Sequence, residues 1–276
     1  MNRSKLVDAL KRAGAAHCLL ETPAGGWALV VPRLGARILG AGVDELNAFW
    51  VSPSLEGCLE GRDWNAGGQR TWLAPELGPL GFFGTGESDW AVPPELDPGS
   101  YRLLEAGRSG ARCRGLCRLR SADGTEYRLE LERRVEIRDL PEPGPGVRCV
   151  VLGIRHSLHN AGDRPIHSRV GLWSILQVPC LPEGNLLLPD LPYRLYFGEM
   201  PPSWVRREAG RKPACWSGCA APPLPRVRIW MGLPPRPPAT CCRPTTAPWR
   251  AMRPSASWSA MLRPRTWLLA KRGATN

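Results

Sequence analysis

The residues with the clearest chemical potential lie in one short segment of the chain. Tandem glycines, Gly67 and Gly68, permit positive φ angles and a close approach of the backbone. Around them the segment presents four side chains with recognition chemistry: Asn65, Arg70, Trp72 and Glu76. An indole ring offers a flat apolar face to a pyranose, and the polar groups hydrogen-bond hydroxyls. The segment therefore predicts a sugar-binding loop.

The same residues also admit a purely structural interpretation. In that interpretation Trp72 packs in the core, and Arg70 and Glu76 form a buried ion pair that braces the loop. The sequence gives the two interpretations about equal weight.

Motifs for metals and common cofactors do not occur in the sequence. It contains no C-x₂-C pair, no P-loop, no G-x-G-x-x-G and no H-E-x-x-H. Cys113 and Cys117 are spaced to share one face of a strand, which favours buried free thiols. We therefore predict neither a metal nor a cofactor.

The elements that must position these residues are mostly strands. Residues 4–13 predict one short N-terminal helix, with Ser4 as a candidate N-cap. Between Gly and Pro turns, period-2 alternation then predicts strands. These strands lie at residues 27–31, 36–39, 111–119, 127–138 and 150–158, and a further strand begins near residue 167. Many strands with one terminal helix indicate an all-β sandwich or barrel.

Several stretches of the chain resemble one known superfamily. The most specific is Gly-Gly-x-Arg-x-Trp-Leu-x-Pro-Glu at residues 67–76, and weaker ones lie at residues 30–39, 47–50, 159–165 and 171–178. Together they resemble the galactose mutarotase-like (aldose 1-epimerase) superfamily over roughly residues 20–200. The resemblance implies a β-supersandwich with a sugar-binding cleft on one sheet.

The resemblance also bears on the site residues. It extends the predicted substrate-binding set to Asn65, Arg70, Trp72, Glu76, Trp173 and Gln177. In the family a Glu removes the proton of the C1 hydroxyl while a His protonates the ring oxygen. The strand that follows the turn at residues 159–165 carries Trp173 and no His, and no acid follows Glu208. No catalytic residue is therefore assigned.

The charge of the chain is concentrated beyond residue 200. There 14 Lys and Arg face the single acid Glu208, and 14 of the 30 Pro and 6 of the 12 Trp lie in the same part. Three interpretations compete: a basic arm for nucleic acid or acidic membranes, a solvated Pro-rich extension, and a segment translated out of frame from GC-rich DNA. The missing periodicity favours the third. We therefore predict an incomplete supersandwich at residues 1–212 and a disordered tail at residues 213–276.

The sequence thus predicts a carbohydrate-binding protein of the aldose 1-epimerase-like type, without the full catalytic apparatus. An active sugar epimerase is the first alternative, and a basic nucleic-acid-binding tail on an all-β domain is a less favoured one. The chain has no apolar run of about 18 residues and no secretory h-region at its start. We therefore expect a sugar or sugar-containing partner, no membrane partner and a cytoplasmic location.

Overall fold

Antiparallel strands make up most of the protein. The structure, a computed structural model, describes residues 1–140, 147–167 and 170–179, and the strand segments 206–207, 214–215, 227–232 and 265–272. The α-helices are α1 (Arg3–Arg12) and α2 (Leu55–Leu59), and short 3₁₀ turns lie at Pro32–Leu34 and Glu87–Asp89. The strands are β1 (Cys18–Glu21), β2 (Gly26–Val31), β3 (Arg37–Val43), β4 (Leu46–Asn47), β5 (Gln69–Ala74), β6 (Tyr101–Ala106), β7 (Gly110–Arg120), β8 (Glu126–Asp139), β9 (Val147–Asn160), β10 (Gly171–Leu176), β11 (Arg206–Arg207), β12 (Ala214–Cys215), β13 (Val227–Gly232) and β14 (Arg265–Arg272).

Within the described residues these strands form two six-stranded sheets. The first sheet has the order β1-β2-β3-β5-β10, with β4 paired to β3. The second has the order β13-β14-β9-β8-β7-β6, and β11 and β12 pair separately. The prediction of an all-β fold is confirmed.

The first sheet is covered on both faces, and this explains why β2 is buried along its whole length. On one face Ala28 and Val30 join the core formed with Val150 and Leu152 of β9. On the other face, residues of β2 such as Trp27 pack in one cluster with apolar residues of α1 and α2. The helix predicted at residues 4–13 is therefore present, one residue earlier than expected.

Two details of the helices differ from expectation. The N-cap of α1 is Asn2, whose Oδ1 accepts from the backbone N of Lys5 at 3.1 Å, and not Ser4. The Ser4 hydroxyl instead donates to Glu45 at 2.8 Å. The structure also contains a second short helix, α2, which the sequence did not predict. Its apolar residues pack in the same cluster as those of α1 and help to cover the first sheet.

The second sheet shows the predicted period-2 alternation. Along β8 the inward residues Leu131, Val135 and Ile137 are buried, whereas neighbours such as Glu136 lie on the outer face. Arg133 interrupts the apolar pattern, and it is nevertheless buried on the inner face with 1% of its surface exposed. The cationic side chain of Arg133 therefore lies on the same face of β8 as the apolar core residues.

The segment predicted as a disordered tail contains described strands. β14 pairs with β9 from Arg265↔Ile154 to Arg272↔Val147, and β13 pairs with β14. β12, β13 and β14 thus lie within the range predicted as a tail, and the predicted disorder of that tail stays a prediction. The other residues between 213 and 276 lie outside the described part. The boundary at residue 212 and the reading frame of the tail stay predictions.

No helix in the described ranges is long and apolar enough to cross a membrane. Cys18, Cys58, Cys113, Cys117 and Cys149 are buried free thiols. The interpretation of Cys113 and Cys117 as buried thiols on one strand is confirmed, since both point inward from β7.

We predict that these two β7 thiols react slowly in the folded protein. Burial raises the pKa of the Cys113 thiol, and likewise that of Cys117, to about 11 from a reference of 9.0. At pH 8 this lowers the thiolate fraction about hundredfold, and only the thiolate is the nucleophile. Iodoacetamide labelling followed by peptide mass spectrometry, with and without urea, measures the difference. Equal labelling rates of Cys113 in both conditions would contradict the burial.

Candidate functional site

The predicted loop is held in place by its two glycines. Gly67 and Gly68 both have positive φ, at 87° and 70°. A Cβ at Gly67 would lie 2.3 Å from the carbonyl oxygen of Trp50, and one at Gly68 would lie 2.4 Å from that of Ile38. Only glycine fits both the conformation and the space. The backbone therefore enters β5 pressed against β3.

Gly68 also binds a residue that is distant in sequence. The Gln177 backbone N donates to the Gly68 carbonyl oxygen at 3.0 Å, and the Trp50 N donates to the Gln177 carbonyl at 3.0 Å. Gln177 follows β10, which pairs with β5 so that Trp173 lies opposite Trp72. Two residues about a hundred positions away in sequence thus reach the loop through sheet pairing.

Arg70 lies at the centre of the site. Its Nη1 donates to Asn65 Oδ1 at 3.1 Å and to Gln177 Oε1 at 2.6 Å. Its guanidinium carbon lies 4.4 Å from the ring centroid of Trp72 and 5.0 Å from that of Trp64, which are cation–π distances. Only 6% of the residue is exposed. The guanidinium is therefore fixed in position by two amide side chains and two indoles.

Asp97 supplies the buried negative charge of the site. Arg37 Nη2 donates to both of its carboxylate oxygens, at 2.8 and 2.7 Å. Trp72 Nε1 donates to Asp97 Oδ2 at 2.9 Å, and Arg70 Nε lies 3.9 Å from the same oxygen. The carboxylate thus connects β3, β5 and the turn Glu95–Gly99.

Arg37 and Arg70 share the carboxylate of Asp97, and this arrangement affects the pKa of Arg70. The pKa of the Arg70 guanidinium is lowered to about 10, first by burial and then by the positive charge of Arg37, while Asp97 acts in the opposite direction. Arg70 therefore remains charged at neutral pH, and its charge is poorly solvated.

An aromatic cluster surrounds the guanidinium. The ring centroid of Trp72 lies 4.7 Å from that of Phe83, 5.5 Å from Trp64, 5.8 Å from Trp173 and 6.4 Å from Trp90. Trp72 itself is buried, whereas Trp64, Trp90 and Trp173 are half-buried. Glu76 Oε1 accepts from Trp90 Nε1 at 2.8 Å. The half-buried indoles are the ones that present surface to solvent.

All six residues predicted from the sequence come together in this cluster. Asn65 and Gln177 bind Arg70, Trp173 contacts Trp72, and Glu76 is linked through Trp90. The structural interpretation was right about Trp72, which packs in the core. The ion pair that the structure shows for Arg70 is with Asp97, and the predicted pair between Arg70 and Glu76 stays a prediction.

Sequence reasoning did not assign four residues of the site: Arg37, Trp64, Trp90 and Asp97. Arg37 is the cation in an otherwise apolar strand, and it is completely buried. That pattern is a usable signal of a buried ion pair. Asp97 gave no such signal, because its partners come from β3 and β5 and not from its own turn.

A second polar group braces β5 from the other face of the sheet. Gln69 Nε2 donates to Ser174 Oγ at 2.9 Å, which ties β5 to β10. Arg133 donates to the Gln69 side-chain oxygen and, at 3.1 Å, to the carbonyl oxygen of Gly35. Burial lowers the pKa of the Arg133 guanidinium to about 10. This group positions the strand that carries Arg70.

A separate cleft of about 1340 Å³ lies where the β7–β8 and β9–β10 connections meet. Its lining includes Phe82, Arg118, Tyr127, Arg128 and Arg164, and none of the six predicted site residues. Among the described residues, no three potential metal ligands come together.

The fold and the site together define an all-β protein with a buried arginine enclosed by tryptophans. Residues 7–194 match the model of DUF6786, a family of unknown function, and the chain belongs to that family. No curated protein and no solved structure matches the chain. The matched range includes β1 to β10 and every residue of the site, whereas β13 and β14 lie beyond it.

We predict that Asp97→Asn destabilises the protein. The amide keeps the size of the side chain but leaves Arg37 and Arg70 buried without their counter-charge. Breaking a buried ion pair in this way costs about 3–5 kcal/mol in the free energy of unfolding. Urea denaturation measures the loss, and Asp8→Asn on the exposed face of α1 is the matched control. A similar stability for both variants would show that Asp97 is not the counter-charge of the site.

Proposed function

We propose that the protein binds a saccharide at the Arg70 cluster. The observation that carries the proposal is the fixed guanidinium, held by Asn65 and Gln177 and placed between Trp64 and Trp72. The half-buried amides and the half-buried indoles have the chemistry that hydroxyl groups and the apolar faces of a pyranose require. The resemblance to the galactose mutarotase-like superfamily supports the same function.

The proposal includes the fold type. The two antiparallel sheets, with the site on the first, are consistent with an incomplete β-supersandwich. The pairing of β10 with β5 places the proposed binding residues from two distant segments on one sheet. The resemblance implies that the sugar-binding cleft lies on one sheet.

We further propose binding without turnover. β10 carries Trp173, packed against Trp72, where the resemblance calls for an acid His. His156 is buried beside Thr71, with its Nε2 3.5 Å from the Thr71 hydroxyl, and lies on β9. The described site thus offers a rigid recognition surface, and no general acid is assigned to it.

The binding proposal makes a direct prediction for two variants. Asn65→Ala and Gln177→Ala should each weaken monosaccharide binding about tenfold, because each removes a hydrogen-bonding group worth roughly 1.4 kcal/mol and loosens Arg70. Isothermal titration calorimetry of the full chain with galactose and glucose measures the affinities. Arg128→Ala, in the separate cleft, is the control and should bind like the parent protein.

Three results would decide the matter. Absence of saccharide binding by the parent protein overturns the proposed function. Loss of binding in Arg128→Ala with retention in Asn65→Ala moves the site to the other cleft. Acceleration of the mutarotation of fresh α-galactose, followed by polarimetry, overturns binding without turnover and establishes the epimerase alternative.

A further inference from the structure

We infer that the separate cleft binds an organic anion, a small molecule that carries a phosphate or carboxylate group on an apolar body. The cleft has a volume of about 1340 Å³, which is large enough for a ligand of drug size. Four arginines line it: Arg118, Arg120, Arg128 and Arg164. None of the residues proposed to bind a saccharide lines this cleft, so the inference does not depend on the proposed function.

The central observation is a pair of like charges. The register of β7 and β8 places Arg118 directly opposite Arg128, and both side chains lie on the exposed face of the second sheet. Directly opposite side chains have Cβ atoms about 5 Å apart, and like charges at such positions destabilise a sheet. Within the part of the chain that the structure describes, neither guanidinium forms an ion pair. An oxyanion bound by this opposed pair would replace repulsion with attraction.

Two of the three carboxylates in the cleft lie next to other arginines. Glu126 is the cross-strand partner of Arg120, so opposite charges lie side by side there. Asp163 directly precedes Arg164 in the turn between β9 and β10. These two acids therefore offset the two arginines that do not belong to the opposed pair.

The third carboxylate acts from the other face of β7. The pKa of the Cys117 thiol is raised first by burial and also by the charge of Glu95, and Cys117 points inward from the strand. On the outer face, the nearest acid along β8 is Glu130, which lies 3.6 Å from Nε of Arg114. Among the described lining residues, the four arginines exceed the three carboxylates by one. The outer face at the opposed pair is where an anion balances that charge.

Hydrogen bonds fix the turn that closes one side of the cleft. The Ala161 backbone N donates to the carbonyl oxygen of Arg128 at 2.8 Å, which attaches the turn to β8. Asn160 Nδ2 donates to the carbonyl oxygen of Arg164 at 2.8 Å, and Asn160 Oδ1 accepts from the Gly162 N at 3.0 Å. The backbone of Arg164 is therefore set beside the strand that carries the opposed pair, which lowers the entropic cost of binding a ligand.

The other lining residues indicate an apolar body on the ligand. Phe82, Leu119 and Tyr127 are buried in the wall of the cleft, and the two rings lie 5.2 Å apart. Leu80 is 40% exposed and Ile166 is half-buried, so both retain apolar surface. A ring on the ligand would remove that surface from water, whereas a bare inorganic anion would leave it solvated.

Phenyl phosphate and benzoate test the inference, because they present a phosphate and a carboxylate on the same ring. Isothermal titration calorimetry of the full chain compares them with phenol, which lacks the anionic group, and with inorganic phosphate, which lacks the ring. Each titration is run at about 20 mM and about 500 mM NaCl, since added salt screens exposed charges. The comparison of the two anions shows which oxyanion the cleft prefers.

We expect phenyl phosphate or benzoate to bind about tenfold more tightly than phenol at low salt, and this preference should fall at high salt. Phenyl phosphate should also bind more tightly than inorganic phosphate. Arg118→Gln and Arg128→Gln should each weaken binding of the preferred anion about fivefold, because each removes one charged donor. Arg138→Gln is the matched control, since Arg138 is exposed on β8 but does not line the cleft.

Equal binding of phenol and the two anions overturns the inference. An anion preference that Arg138→Gln weakens as much as Arg128→Gln also overturns it, because binding would then follow the charge of the whole sheet. Loss of anion binding in Asn65→Ala, with retention in Arg128→Gln, moves the anion to the Arg70 cluster. Inorganic phosphate that binds as tightly as phenyl phosphate overturns the apolar body. The proposed saccharide function is tested separately, by galactose and glucose, and stands or falls on those titrations.

Discussion

The shared carboxylate of Asp97 is the constraint on which the site depends. A charge removed from water is stable only when opposite charges and hydrogen bonds replace its hydration. Here Arg37, Trp72 and Arg70 provide these contacts from two strands, while the carboxylate comes from the turn after them. The position of the turn relative to β3 and β5 is therefore set by electrostatics as much as by packing.

Structure and proposed recognition use different members of one cluster. Trp72 is buried and contributes its indole N–H to Asp97, so its role is to hold the site together. Trp64 and Trp173, which are half-buried, retain surface for a ligand. Fixing Arg70 before a ligand arrives lowers the entropic cost of binding, which is the usual advantage of a preorganised site.

Support from the opposite face explains how a strand with so many polar residues stays in a sheet. β5 alternates between Arg70 and Trp72 on the site face and Gln69 and Thr71 on the inner face. Arg133, fully buried on β8, binds Gln69, and Gln69 binds β10. The hydrogen bond of Gln69 to β10 stabilises the pairing of β5 with β10. That pairing positions Trp173 and Gln177 at the site.

Much of this protein was readable in its sequence, because local physics decides it. Period-2 alternation gave the strands β7, β8 and β9, and the Gly67–Gly68 pair marked the loop that presents Asn65 and Arg70. The partner of Arg70 was not readable: Glu76 is six residues away in sequence, yet Asp97 lies at the guanidinium. Only the tertiary structure decides that choice, because ion pairs in a core form between whichever strands and turns the packing brings within a few ångströms.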